Sequence, residues 1–129
     1  MDIAVSQEQG KVPVTRFILS GPFNSDELLV EKAKAAYAEG ARNMLIDLTA
    51  VEYMSSAGLR ALHMIYMLLR DTSETGGKVN EGLRTGTYHA AHIKLLKPSR
   101  LVKEVLKTTG YDMFIDSYDD LKAALNAFS

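Results

Sequence analysis

Two short apolar runs, "NMLIDLT" at 43–49 and "HIKLLK" at 92–97, constrain the fold more than anything else in this sequence. The first is too short for a helix and apolar enough for a buried central strand, and the second reads as another strand. Helical patterns lie on both sides of them. In "FNSDELLVEKAKAAYAEGARN", Leu29, Ala33, Ala36 and Tyr37 recur at helical spacing. Asn24 or Ser25 is a candidate cap there, Asp26 and Glu27 suit the positive helix end, and Gly40 is a stop signal. After the first run, Leu59, Leu62, Tyr66 and Leu69, with Ile65 beside them, form one face of a helix that ends near Asp71.

After the second run, Pro98-Ser99 starts a further helix, with Pro98 suited to its first turn. Leu101, Val102, Val105 and Leu106 supply its apolar face, and Gly110 ends it. "MFID" at 113–116 reads as a short strand. Ser117 through Asp120 reads as the capped start of a last helix, whose apolar side is Leu121, Ala124, Leu125 and Phe128. At the other end, residues 2–8 form a weak edge-strand candidate. A Gln9-Gly10 turn joins them to a strand over roughly Val12 to Ser20, which Gly21-Pro22 breaks.

The predicted order is therefore β-β-α-β-α-β-α-β-α. Strands alternating with helices imply an α/β fold, a mixed and mostly parallel sheet with an N-terminal hairpin and about four helices. The 129 residues are expected to form one domain. The polar, glycine-rich stretch at 72–91 has no clean period and reads as a loop insertion.

Composition excludes several classes of function. A net charge of -1 argues against a general electrostatic grip on nucleic acid. The chain has no cysteine, so disulfides and thiolate metal sites are excluded. No run approaches the roughly 20 apolar residues of a membrane span, so membrane insertion is not expected. "MDIAVSQEQG" carries no basic region followed by an apolar run, and a cytoplasmic location is expected. No phosphate-cradling glycine loop and no G-x-S-x-G elbow are present. His89 and His92 are spaced like a weak metal pair without a nearby carboxylate. His63 follows the serines on the same helix, but the sequence names neither an orienting acid nor an oxyanion hole for a Ser56–His63 hydrolase. Met64 and Met67 read as core fillers. Glu31, Lys32, Lys34 and Glu39 read as a solvated helix face. Neither an enzyme nor a cofactor is expected.

The remaining feature is "YMSSAGLRAL", from Tyr53 to Leu62. Paired hydroxyls stand where a strand loop meets a helix. One reading makes Ser55 or Ser56 an N-cap. The other makes one of them a group that a partner modifies. Gly58 costs helix propensity against alanine, which points to close backbone approach or to room for a partner.

The stretch "NMLIDLTAVEYMSSAGLRALHMI" resembles the central motif of the STAS domain of anti-sigma factor antagonists. Leu45-Ile46-Asp47-Leu48-Thr49, with Val51, Tyr53 and Met54, resemble that family's strand and loop. Ser56, Gly58 and Leu59 match its Ser, Gly and Leu. "FILSGPFN" resembles its apolar-Gly-x-Leu-Asp turn, and "KLLKPSRLVKEVLKTTGYDMFIDSYDDLKAAL" its closing strand-helix-strand-helix. Ser55 and Asn24 stand where the family has aspartates, and Ala57 stands where a second Ser or Thr is common.

The resemblance implies an anti-sigma factor antagonist that binds a serine-kinase anti-sigma factor, frees a sigma factor and so regulates transcription. It implies phosphorylation of Ser56, with Ser55 the second choice, and resetting by a serine phosphatase. Asn24, Asp47, Thr49, Ser55, Ala57, Gly58, Leu59 and Arg60 are the expected site-lining and partner-binding residues. The alternative is a STAS-like accessory or scaffold subunit of a membrane-transport or sensory complex that lacks the switch.

Overall fold

The computed structural model describes residues 2–24, 27–70, 90–113 and 115–128. Its elements run β1 (Asp2–Gln9), β2 (Pro13–Ser20), α1 (Glu27–Ala38), β3 (Met44–Ala50), α2 (Ser56–Arg70), β4 (Ile93–Leu96), α3 (Arg100–Thr109), β5 (Ser117–Tyr118) and α4 (Leu121–Asn126). This is the predicted α/β order. The five strands form one mixed sheet in chain order. β1 and β2 pair antiparallel, from Asp2 opposite Ser20 to Gln9 opposite Pro13. The β2–β3, β3–β4 and β4–β5 pairs are parallel.

A parallel sheet whose spatial order follows chain order moves the same way at each crossover. Crossovers of one hand then stack their helices on one face. The core shows this. Phe17, Leu19, Met44, Ile46, Leu48, Ile93 and Leu95 point to the side that buries Leu29 and Ala33 of α1, Leu62 and Ile65 of α2, and Val102 and Leu106 of α3. Alternate residues Val14, Leu45 and Leu96 point to the other side, where Ala124 and Phe128 at the C-terminal end cover them.

Helix ends follow local chemistry. Gly40 and Gly110 have φ of +109° and +84°, a conformation that glycine adopts without strain. Arg42 reinforces the first of these ends. Its guanidinium donates to the Tyr37 carbonyl at 2.8 Å and stacks over the Tyr37 ring at 3.8 Å. Ser25 and Asp26, proposed at the start of α1, lie outside the described residues, and so do Asp71, His89 and nearly all of the 72–91 loop.

Several local expectations need correction. Pro98 is not in the first turn of α3. It precedes the cap, which is Ser99, whose hydroxyl accepts from the Val102 N–H at 3.2 Å. Leu101 is not core but 54% exposed, because the inward face of α3 is formed by Val102 and Leu106. The strand expected at 113–116 is displaced: Tyr111–Met113 form a 3-10 turn and β5 is Ser117–Tyr118. The last helix, by contrast, is capped within the expected Ser117–Asp120 stretch: Asp120 accepts from the Ala123 N–H at 2.9 Å. Met64 and Met67 are each 40% exposed rather than core fillers, since Ile65, Tyr66 and Leu69 occupy the inward face of α2.

The C-terminal end also covers a buried cation. Lys94 is 5% exposed. Its ammonium donates to the Ala90 carbonyl at 3.2 Å and lies 3.7 Å from Asp116. Burial lowers its pKa, and Asp116 opposes that shift. Phe128 is fully buried beside Val14, Leu45, Leu96 and Ala124, with the Lys94 ammonium 5.7 Å from its ring. Phe128→Ala therefore opens a cavity over β3 and β4, and urea unfolding is expected to show a loss of about 3 kcal/mol.

Candidate functional site

Parallel strands bring their carboxyl ends to one edge of the sheet, where α/β folds place their functional loops. Here the segments after β2, β3 and β4 meet. Gly21 N–H donates to the Ala50 carbonyl at 3.2 Å, and Phe23 N–H to that of Tyr53 at 2.9 Å. Phe23 and Met54 form an isolated parallel bridge, and the Ser55 N–H returns a bond to the Phe23 carbonyl at 3.0 Å. Ser99 ties in the third segment: while its oxygen caps α3, its hydroxyl donates to the Glu52 carbonyl at 3.1 Å.

This lattice fixes the start of α2. Ser55 is the cap: its carbonyl accepts the first helical bond, from Leu59 N–H at 3.1 Å. Its hydroxyl accepts from the Ala57 N–H at 3.2 Å and reaches the Phe23 carbonyl at 3.5 Å. Ser56 is the first helical residue, and its side chain is exposed. Of the two adjacent serines, Ser55 takes the capping role that the sequence left open between them. Ala57 and Leu59 are half-buried, Arg60 is exposed one turn into the helix, and Asn24 is exposed beside the Phe23 bridge.

Gly58 explains itself sterically. A Cβ at this position would stand 2.6 Å from Met54 Cγ, 2.6 Å from the Phe23 carbonyl oxygen and 3.1 Å from Phe23 Cγ. The glycine permits close backbone approach, one of the two readings open from the sequence.

Asp47 and Thr49 serve the strand that delivers this loop. The β2–β3 register slips after Ile18 opposite Asp47 and resumes at Ser20 opposite Ala50, so β3 carries one extra residue. Asp47 Oδ1 accepts from the Thr49 N–H at 3.0 Å and from its hydroxyl at 2.5 Å. Oδ2 accepts from Arg16 Nε at 3.0 Å and Nη2 at 2.6 Å. Arg16 also reaches Glu8 at 3.0 Å. The Asp47 carboxylate is 2% exposed and lies on the face of the sheet away from α2, so the structure does not bring it to the Ser56 surface. Thr49 is exposed at the strand end.

Burial pushes the Asp47 carboxyl up, but the two Thr49 donors and the Arg16 guanidinium outweigh it and hold its pKa below the ordinary value. Arg16, Phe23 and Ser99 are the supporting residues that sequence reasoning missed. The signal for Arg16 was a lone cation in one strand and a lone carboxylate in an apolar run, 31 residues apart.

The other candidates stay apart. His92 Nδ1 lies 2.9 Å from Asn43 Oδ1 at the opposite, amino end of the parallel strands. His63 is exposed on α2, its ring 6.1 Å from those of Tyr66 and Tyr111. Among the described residues no group of three or more His, Asp or Glu could hold a metal ion. Among them, too, no helix is long and apolar enough to cross a membrane. Beside the serine loop a groove of about 330 Å³ is lined by exposed Tyr53 and Leu101 together with Glu104, Val105, Thr108 and Thr109.

A strand feeding a serine-capped helix through a Gly-Leu first turn, on a mixed sheet opened by a hairpin, defines a STAS fold. A sequence model of the STAS domain matches residues 7–78, more than half of the chain, and the chain belongs to that family. Its structure is similar to that of an anti-sigma factor antagonist from Mycobacterium paratuberculosis: TM-score 0.70, 22% identity, covering 98% of this chain and 93% of that one. It is also similar to the Bacillus cell fate determinant SpoIIAA in its phosphorylated form, with a TM-score of 0.60 and 17% identity over 94% and 96% of the two chains. Against SpoIIAA in its unphosphorylated form the TM-score is 0.53, with 16% identity over 94% and 93%. At these identities the likeness concerns the fold. No curated protein sequence matches the chain.

Two measurements check this account of the site. Gly58→Ala gains helix propensity of at most about 1 kcal/mol. It must also displace a backbone carbonyl, and overpacking of this kind costs about 1–3 kcal/mol. A net loss of stability in urea unfolding is expected. Asp47 has a depressed native pKa, so its contribution is present above the unfolded carboxyl value and lost as pH falls through the native one. Asp47→Asn should be about 2 kcal/mol less stable than the wild type at pH 7. That difference should shrink as pH falls below the ordinary carboxyl value, in unfolding curves recorded across the acid range.

Proposed function

We propose that the chain is an anti-sigma factor antagonist that binds a serine-kinase anti-sigma factor and is released by phosphorylation of Ser56. The reading rests on one observation above all: Ser56 is exposed at the first position of α2 while Ser55 supplies the cap. A phosphate on Ser56 would leave the capping bonds intact. It would bring about -1.5 to -2 charges to a helix start, where the dipole favours an anion, so the domain itself tolerates it. The same charge pressed into a protein interface without matching cations is costly. Binding is thereby switched without unfolding the antagonist, and a serine phosphatase resets it.

Ser55 fits the acceptor role less well, because it is half-buried and its oxygen is engaged by Ala57 N–H and the Phe23 carbonyl. The departures at Asn24 and Ser55 make this surface less acidic, which lowers repulsion toward a phosphate.

The test combines phosphopeptide mass spectrometry with binding. Incubated with ATP and the serine-kinase anti-sigma factors of its own cell, the wild type should carry phosphate on Ser56. Ser56→Ala should carry none, and Ser55→Ala should still be modified. Ser56→Asp should bind the anti-sigma factor at least about tenfold more weakly, or 1.4 kcal/mol. Phosphate on neither serine, with unchanged binding by Ser56→Asp, overturns the switch. In that case copurification with a transport ATPase would favour the scaffold role.

A further inference from the structure

At the end of the sheet opposite the serine loop, β1, β2 and the segment after α1 enclose a cavity of about 400 Å³. Five of its lining side chains are polar: Gln7, Thr15, Glu39, Arg42 and Asn43. Thr15 is 3% exposed, and its hydroxyl donates to Gln7 Oε1 at 3.3 Å. His92 Nδ1 likewise donates to Asn43 Oδ1 at 2.9 Å. Each carboxamide is thereby held by its oxygen, and neither amide nitrogen has an acceptor among the described residues. Arg42 is held in a similar way. Its Nη1 is engaged by the carbonyls of Tyr37 and Ala41 at 2.8 and 2.9 Å, and the Tyr37 ring supports the guanidinium face. Nε and Nη2 have no acceptor among the described residues.

Glu39 supplies the opposite sign at an unfavourable place. It directly follows α1, where the helix dipole is negative and favours a cation. The last turn of α1 has no basic residue, and Glu39 has no ion-pair partner among the described residues. A carboxylate there works against the helix end, a local conflict that a bound cation would relieve.

We infer that this cavity binds a small zwitterion, an α-amino acid with a polar side chain. Its carboxylate meets the open edge of the Arg42 guanidinium, which can give two parallel bonds. Its ammonium meets Glu39 at the negative end of α1. Its side chain takes the amide donors of Gln7 and Asn43. One ligand then partners both the donors and the carboxylate that the fold leaves open. A simple anion would face Glu39, and a simple cation would face Arg42, so the lining discriminates against each. The bonds that orient the amides and the guanidinium are made within the chain, so little ordering remains to oppose binding. Nothing in this inference depends on modification of Ser56.

The probe is L-glutamine, titrated into the full chain labelled with nitrogen-15 and followed by NMR. Resonances of Gln7, Thr15 and Asn43, the two side-chain amides included, should move saturably, with a dissociation constant on the order of 1 mM. Glutaramate, which lacks the ammonium, and L-glutaminamide, which lacks the carboxylate, should each bind at least about tenfold more weakly. Glu39→Gln should erase the first difference, so that glutamine and glutaramate bind alike. Arg42→Gln should erase the second. Glu39→Gln removes an unfavourable charge from the helix end and should fold, so the test stands even if Arg42→Gln loosens the end of α1. No saturable shift at these residues up to about 20 mM glutamine, roughly twenty times the expected constant, overturns the site. Equal binding of glutamine, glutaramate and glutaminamide by the wild type overturns it as well.

Discussion

The contact between Phe23 and the start of α2 holds the functional edge together. Phe23 donates its N–H to Tyr53 and accepts the Ser55 N–H, and its carbonyl and ring lie where a side chain at 58 would have to go. Two backbone bonds and one missing Cβ therefore lock the segment after β2 to the helix after β3. The consequence is rotational as well as positional. With Gly58 turned against Phe23, helical periodicity leaves Ser56 and Arg60 exposed and sends Leu62 and Ile65 into the core. The exposure of the serine is thus set by packing on the far side of its own helix.

A second constraint acts through β3. The extra residue between Asp47 and Ala50 takes the Thr49 N–H out of the regular ladder, and the Asp47 carboxylate accepts it. A backbone donor taken out of the ladder needs another partner, and an unpaired buried carboxylate costs free energy. Each satisfies the other, and Arg16 supplies the balancing charge from the neighbouring strand. Asp47 was expected among the partner-facing residues. Its position beneath the sheet makes it a support for the strand that leads to the serines.

How much of this was legible in the sequence depended on the range of the interaction. β3 and β4 could be read because burial on both faces writes itself as a short, mostly apolar run, even with Asp47 and Lys94 inside it. Helix ends at Gly40 and Gly110 could be read because a left-handed residue favours glycine. β5 could not: its two residues, Ser117 and Tyr118, carry no apolar pattern, and backbone bonds to Leu95 and Lys97 define the strand. Leu101, Met64 and Met67 were misplaced for a related reason. Hydrophobicity alone does not say which of two adjacent apolar stripes turns inward, and β-branched or bulky neighbours took the inward positions. The site motif was visible as residue types, but the assignment of the cap to Ser55 needed the Phe23 carbonyl, 32 positions away.

The capping of α2 by Ser55 bears on how the proposed switch could sit on a helix start. A hydroxyl that serves as cap contributes about 1 kcal/mol to its helix and is engaged in doing so. Modifying it would set regulation against stability, because the phosphate would have to replace bonds that hold the helix in place. Moving the modifiable hydroxyl one residue on removes that conflict. In the proposed switch the cap keeps its partners and the helix dipole favours the added anion. In the family pattern an aspartate precedes the serine, and a carboxylate can cap as well as a hydroxyl can. Here a neutral Ser55 caps the helix without a fixed negative charge beside Ser56, so in the proposed switch the charge that changes is that of the modification.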